Sequence, residues 1–225
     1  MQQLRLLDIC CGAGGCSVGY HRAAVKLGID LQITGVDIND QPNYPFYFER
    51  SDALEFLTRE WKYFTHIHAS PPCKAYSVAN RNKKTNHYQD VYTDLSKKMY
   101  DTELPGVIEN VYGSPVRGDI VLNGQMFKLN VHRYRKFELV NWWMMQPGTA
   151  IVEKRTVRNG KIITVAGHGY GGKSKYGDPC LIDGKNEKEK RLTAMGIDWM
   201  NMREVTQAVP PAYTEYIGLS FLKSK

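Results

Sequence analysis

The thiol of Cys73 directly follows Pro71 and Pro72, and two successive prolines stiffen the backbone and keep it out of regular structure. Ser70-Pro71-Pro72-Cys73 closes the apolar run Phe64 to Ala69, so it presents the thiol in a loop past a strand, where a nucleophile would need to stand. Burial as an inert side chain is the commoner fate of a cysteine; the loop context argues against it here. Glu109-Asn110 closes another apolar run, Gly106 to Ile108, and offers a carboxyl that a partly buried site would keep protonated as an acid. Alone it reads equally as a helix cap. His132-Arg133-Tyr134-Arg135 places two guanidinium groups at i and i+2, on one face of a strand, which suits phosphate contact or an ordinary solvated face.

A second constellation, Asp8-Ile9-Cys10-Cys11-Gly12-Ala13-Gly14-Gly15, joins the apolar run Leu4 to Cys11 to the helical spacing of Ser17 to Leu27. Only glycine lets the backbone approach a ligand closely at such a turn, so the segment suits a nucleoside-bearing cofactor. The third glycine of a dinucleotide pattern would fall at Ser17, which favours a smaller adenosine-bearing molecule. Asp37 ends the run Leu31 to Val36, where a carboxylate can accept both ribose hydroxyls, and Asp52 is placed to take an adenine amino group. The alternative is a glycine turn with two aspartates capping helices.

These residues need a frame that gathers strand ends. Apolar runs alternating with helical patterns over Asp52 to Glu60 and Asp90 to Glu103 predict a largely parallel α/β sheet, whose ligands bind beyond the carboxyl ends of the strands. After Arg135 the texture changes: Phe137 to Trp143 is strand-like, Ala150 to Val157 and Lys161 to Ala166 flank Arg158-Asn159-Gly160 as a hairpin would, and Gly167 to Gly177 is glycine-rich. Helical spacing returns over Asn186 to Met195, Arg203 to Gln207 and Ala212 to Leu222. The division this predicts is a core over 1–135, a small irregular insert over 136–190 and C-terminal helices over 191–225. With 225 residues, 42% of them hydrophobic, the chain can fill one core. Thirty Lys and Arg against 23 Asp and Glu give +7, which attracts polyanions but also occurs in proteins with no nucleic-acid role. Five cysteines without paired CxxC spacing predict reduced thiols and no metal site. No apolar run approaches the ~20 residues of a membrane span. Met1 to Leu7 lacks the pattern of a secretion signal, so the expected location is cytoplasmic.

The ordered set DICCGAGGCSVG (Asp8 to Gly19), Val36-Asp37, Asp52-Ala53, PPCKAYS (Pro71 to Ser77), IENV (Ile108 to Val111), RYR (Arg133 to Arg135) and REVTQAVPP (Arg203 to Pro211) resembles the motifs of the cytosine-C5 DNA methyltransferases. Nearly the whole chain is covered, and MGIDWM (Met195 to Met200) with the closing Pro-Pro-Ala-Tyr-Thr-Glu looks like the compact phage-encoded members, some of which serve restriction-modification. The resemblance implies a Rossmann-like, S-adenosylmethionine-dependent methyltransferase fold. It implies methylation of a flipped cytosine in double-stranded DNA by a monomer without metal or membrane. In that reading Cys73 attacks C6, Glu109 holds N3 and the exocyclic amine, and Arg135 with Arg133 contacts the base carbonyl and backbone. Asp8, Cys10, Gly12, Ala13, Gly14, Gly15, Asp37, Ile38, Asp52, Ala53, Pro72, Gln207 and Ala208 would line the S-adenosylmethionine site. Lys74, Ser77, His168, Tyr170, Lys173 and Lys175, the last four in a loop with Tyr176, would meet DNA.

The chain departs from the family pattern at several positions. Cys10 and Cys16 stand where phenylalanine is usual, Lys74 and Val131 where glutamine is, and Gln207 where asparagine is. Between Arg135 and Arg191 lie only roughly 55 residues, too few to place many side chains against base edges, so relaxed or short sequence preference is expected. Three other functions compete: methylation of cytosine in tRNA, a non-catalytic cofactor- or DNA-binding module, and a nicotinamide-dependent oxidoreductase. The last is disfavoured by the missing glycine.

Overall fold

A computed structural model describes residues 3–72, 86–148, 162–165, 182 and 184–224. Its centre is a seven-stranded sheet in the order β3-β2-β1-β4-β5-β7-β6, formed by β1 (Leu4–Ile9), β2 (Leu31–Asp37), β3 (Tyr47–Arg50), β4 (His66–Ala69), β5 (Gly106–Val111), β6 (Ile120–Leu122) and β7 (Arg135–Val140). The first five strands pair in parallel, and β7 runs antiparallel between β5 and β6. Six helices accompany it among the described residues: α1 (Gly15–Leu27), α2 (Ala53–Glu60), α3 (Asn86–Asp101), α4 (Glu187–Met195), α5 (Met202–Gln207) and α6 (Pro211–Phe221). This is the largely parallel α/β sheet that the alternation of apolar runs and helical patterns predicts, in the Rossmann-like form that the resemblance implies.

Both faces of the sheet are covered, which is why the parallel strands read as continuous apolar runs rather than alternating ones. On β1, Leu6 enters one core with Tyr20, Phe137, Tyr213 and Phe221, while Leu7 and Ile9 enter the other with Leu57, Ile67, Leu95 and Met99. Helix α1 stops at Gly28, whose left-handed φ of 65° lets its N–H reach the carbonyls of Ala24 and Val25. Helices α1 and α6 lie so close that a Cβ on Gly19 would strike the Thr214 side chain and the Pro211 carbonyl. A third apolar cluster joins Ala13 to Val131, Val165, Leu192, Met195 and Val205, tying the first turn to the C-terminal helices.

Three differences from the sequence reading stand out. Strands β3 and β6 have four and three residues, too few to show a period against their polar neighbours. Strand β5 runs on through Glu109 and Asn110, which pair with Phe137 and Lys136 of β7, so Glu109 is a strand residue and caps no helix. Strand β7 also takes residues 136–140, placed in the insert by the sequence reading, into the sheet between β5 and β6. Of the expected hairpin only residues 162–165 are described, and there Ile163 bridges Val131 in parallel. Among the described residues no helix is long and apolar enough to cross a membrane.

Candidate active site

The chain runs from β1 to β2 and β3 on one side, then crosses to place β4 and β5 on the other side of β1. That reversal opens a crevice beyond the carboxyl ends of β1 and β4, the usual ligand position in such sheets. Around it stand the ends of four strands: the turn after Ile9, Asp37 at the end of β2, Ser70-Pro71-Pro72 after β4, and Glu109 on β5 one residue past the register of Ala69 with Ile108.

The turn after β1 is left-handed at Cys10 (φ 55°), Gly12 (φ 49°) and Gly14 (φ 82°). Cys10 is the one of the three with a side chain to strain. Open space lies where a Cβ on Gly12 would point, so the backbone there faces a void that a ligand can fill. Asp37 fastens the turn: its Oδ2 accepts the Gly12 N–H at 3.2 Å and its Oδ1 that of Asn39 at 3.0 Å. From the opposite side the indole of Trp199 donates to the Ala13 carbonyl at 2.8 Å, and the Val209 carbonyl packs on Gly15. Gln207, exposed at the end of α5, and Ala208 after it therefore border the turn. Burial raises the pKa of Cys10, and the charges of Asp37, Asp8 and, least, Asp52 raise it further.

Asp8 is completely buried under this turn. One of its oxygens accepts from the Ser17 hydroxyl, which also bonds Tyr44 Oη at 2.6 Å, and its Oδ1 has no hydrogen-bond partner among the described residues. Burial, with smaller contributions from the charges of Asp37 and Glu109, lifts the pKa of Asp8 to about 7 against the pull of the Ser17 bond. An orphaned buried acceptor beside a glycine void fits a cationic group on a ligand, such as the ammonium of an amino acid. Asp52, by contrast, caps α2, its Oδ1 accepting the N–H groups of Leu54 and Glu55 at 3.0 Å each. Ala53 begins that helix, and Ile38 is exposed just past β2.

On the other side of the crevice Glu109 is buried, with Arg135 Nε 2.7 Å from its Oε1. The alignment falls short of a hydrogen bond, so among the described residues Oε1 has no hydrogen-bond donor. Burial raises the Glu109 pKa, while Arg135, a hydrogen bond from Ser70 and Arg133 oppose it. Arg135 also donates to the Tyr134 carbonyl at 2.9 Å. Arg133, equally buried, is turned toward backbone: Nη1 donates to the Val165 carbonyl and Nη2 to that of Thr206 at 3.0 Å. It clamps residues 162–165 and α5 to the core, and neither arginine lies on a solvated face. Asn110 donates to the Pro71 carbonyl at 3.0 Å and so ties β5 to the segment leading to Cys73.

The thiols of Cys10, Cys11 and Cys16 all have pKa values raised far above the ordinary range, mainly by burial and further by Asp8, so none is a thiolate at neutral pH. Cys73, Lys74, Ser77, His168, Tyr170, Lys173, Lys175 and Tyr176 lie outside the described residues. The structure brings together Asp8, Gly12 to Gly15, Asp37 and, across β4, Glu109 with Arg135. Sequence reasoning passed over Ser17 and Tyr44, which hold Asp8, and His68 and Ser70, which reach toward Glu109. Ser17 and Ser70 sat inside quoted motifs, but nothing in the sequence marks Tyr44 or His68. Among the described residues no group of His, Cys, Asp and Glu is arranged to hold a metal ion.

No protein-family model matches the chain, and no curated protein is similar to it in sequence. Among solved structures, that of the Entamoeba histolytica methyltransferase EhMeth aligns over 100% of both chains with a TM-score of 0.59 and 13% identity. At that identity the likeness is one of fold: the chain has a Rossmann-like methyltransferase fold.

Proposed function

We propose that this chain is an S-adenosylmethionine-dependent methyltransferase that modifies C5 of cytosine in DNA. The observation that carries the reading is the pairing, across one crevice, of a glycine turn over an orphaned carboxylate with a buried Glu–Arg pair, while β4 leads from between them into Pro71-Pro72-Cys73. The methyltransferase fold of EhMeth supports the coarser part, and the ordered motifs support the choice of cytosine. Asp8 would hold the ammonium and Asp37 the ribose hydroxyls of the cofactor, which supplies an electrophilic methyl on a sulfonium when bound. The void at Gly12 leaves room for it.

C5 of cytosine is a poor nucleophile, and in a duplex it is stacked, so the base must first leave the helix. The Cys73 thiolate forms a bond to C6, Glu109 gives its proton to N3, and the ring electron pair moves to C5. Burial raises the Glu109 pKa and so favours its proton-carrying form for this step, while Arg135 fixes its orientation and steadies the carboxylate left behind. After C5 has been methylated, the C5 proton passes to water as the C6–S bond breaks and the Cys73 thiolate leaves, which restores the ring, and Glu109 regains the proton from N3. Arg133 acts as a positioning residue, holding the elements that border the crevice.

The test is transfer of labelled methyl to duplex DNA and to tRNA in parallel, with bisulfite mapping of DNA from expressing cells and Cys73→Ala as control. Label on DNA at conversion-resistant cytosines, lost in the control, is expected. Label on tRNA alone overturns the choice of DNA, and resistant cytosines that persist in the control overturn the chemistry.

A further inference from the structure

His68 is fully buried in the middle of β4, directly beneath the crevice, and the steps above leave it without a task. Its ring joins two hydroxyls. Tyr20 Oη of α1 lies 2.9 Å from Nδ1, and Ser70 Oγ lies 3.0 Å from Nε2. Ser70 and Glu109 each stand one residue past the pairing of Ala69 with Ile108, so they are neighbours across the strand ends, and Ser70 lowers the Glu109 pKa as a donor to its charged form does. A line of contacts therefore runs from α1 through β4 to the carboxyl on β5: Tyr20, His68, Ser70, Glu109.

The direction of the protons along this line follows from satisfaction of buried groups. The phenol of Tyr20 keeps its proton, since burial lifts its pKa, and among the described residues His68 Nδ1 is its hydrogen-bond partner. Nδ1 must therefore accept. Burial also holds His68 neutral, its pKa pushed down to about 3, so the ring carries one proton and that proton is on Nε2. Nε2–H then donates to Ser70 Oγ, which leaves the serine's own proton free for Glu109. In the opposite tautomer Ser70 would have to donate to His68, and the phenol proton of Tyr20 would lose its acceptor in a dry interior.

We propose that His68 is a positioning residue for Glu109, fixed by Tyr20 as the Nε2–H tautomer so that the Ser70 hydroxyl points its proton at the carboxyl. The inference rests on the reading of Glu109 as the acid for its purpose, though not for its geometry. A hydroxyl aimed at the carboxyl stabilises the charged form after the proton has gone to N3 and favours one orientation of the acid. The other groups around Glu109 are Arg135 and Arg133 beside β7, Asp8 on β1, Cys16 on α1 and Tyr213 on α6. Cys16 Sγ also lies 3.9 Å from Ser70 Oγ, a far weaker competitor than His68.

The experiment uses the free full-length protein, so that absence of methyl transfer to any nucleic acid defeats the proposed function while the titration below decides the role of His68. Nitrogen-15 spectra report the His68 tautomer, and carbon-13 spectra of labelled glutamate, assigned by difference with Glu109→Gln, report the Glu109 midpoint. The expected wild-type result is a neutral Nε2–H ring. Ser70→Ala should raise the Glu109 midpoint by on the order of one pH unit, because it removes the donor to the charged form, and His68→Leu should raise it in the same direction by releasing the hydroxyl from the orientation that aims it. Tyr20→Phe, which keeps the ring and its packing, should release the tautomer into a mixture and reproduce part of that rise, and it decides the matter should His68→Leu fail to fold. A wild-type Nδ1–H ring, a midpoint unmoved in Ser70→Ala, or a midpoint moved in Ser70→Ala but unmoved in both His68→Leu and Tyr20→Phe overturns the proposal.

Discussion

At the scale of single residues, two buried carboxyls on opposite sides of the crevice have different partners and therefore different consequences. Asp8 has a hydroxyl and an empty acceptor site, so folding raises its pKa from 3.8 to about 7. The folded chain then binds this proton more tightly than the unfolded one. The associated destabilisation is absent below about pH 4, grows as the pH rises toward 7, and is complete above that, at a cost on the order of a few kcal/mol. Asp8→Asn should therefore be more stable than the wild type at pH 8 and lose the advantage at pH 4, as thermal unfolding across that range would show. The same variant should bind S-adenosylmethionine at least tenfold more weakly by calorimetry, because the ammonium loses its counter-charge. Glu109 has a cation instead. Glu109→Gln should lower methyl transfer by about 10²–10⁴ with cofactor affinity unchanged, and should cost about 3–5 kcal/mol in urea unfolding by leaving Arg135 buried without its partner. Of these two residues the sequence showed type and strand-end position; it did not show that one would be orphaned and the other paired.

Among the elements, those readable in advance were the ones whose signals are local. Helix α5 opens on Asn201 and carries Glu204 at its third position, a reciprocal capping box in which each side chain bonds the other's backbone N–H. Asn201→Ala should cost about 1 kcal/mol, measured as a lower urea midpoint, and loosen α5, which Arg133 clamps through the Thr206 carbonyl. Helices α1 and α6 depend on contacts no pattern displays. Gly19→Ala would place a methyl against Thr214 and the Pro211 carbonyl, and we expect a loss of about 1–3 kcal/mol in the same assay. Gly19 reads in the sequence as an unremarkable helical glycine, because its neighbours come from nearly two hundred residues away. Asp52 is the opposite case: the local reading of a helix cap describes its visible bonds, and its approach to Cys10 emerges only when β2 and β3 are side by side.

Over the whole molecule, a surplus of seven positive charges sits on a fold whose crevice holds buried carboxylates. On the proposed function, binding of DNA should weaken steeply as salt rises, by counterion release from phosphate, whereas cofactor affinity set inside the crevice should change little; titrations at several salt concentrations would separate the two. The sequence by itself determined the α/β alternation, the glycine turn, the carboxylates at strand ends and the order of the motifs, since each depends on residues close together in the chain. Only the tertiary structure decided which of those groups face one another. Strand order put β4 between β1 and β5, joining His68 and Ser70 to Glu109; burial withheld partners from Asp8; and Arg133 was drawn inward to backbone carbonyls. The physical reason is that desolvation and hydrogen-bond satisfaction are properties of the space around a side chain, which is filled by residues remote in sequence.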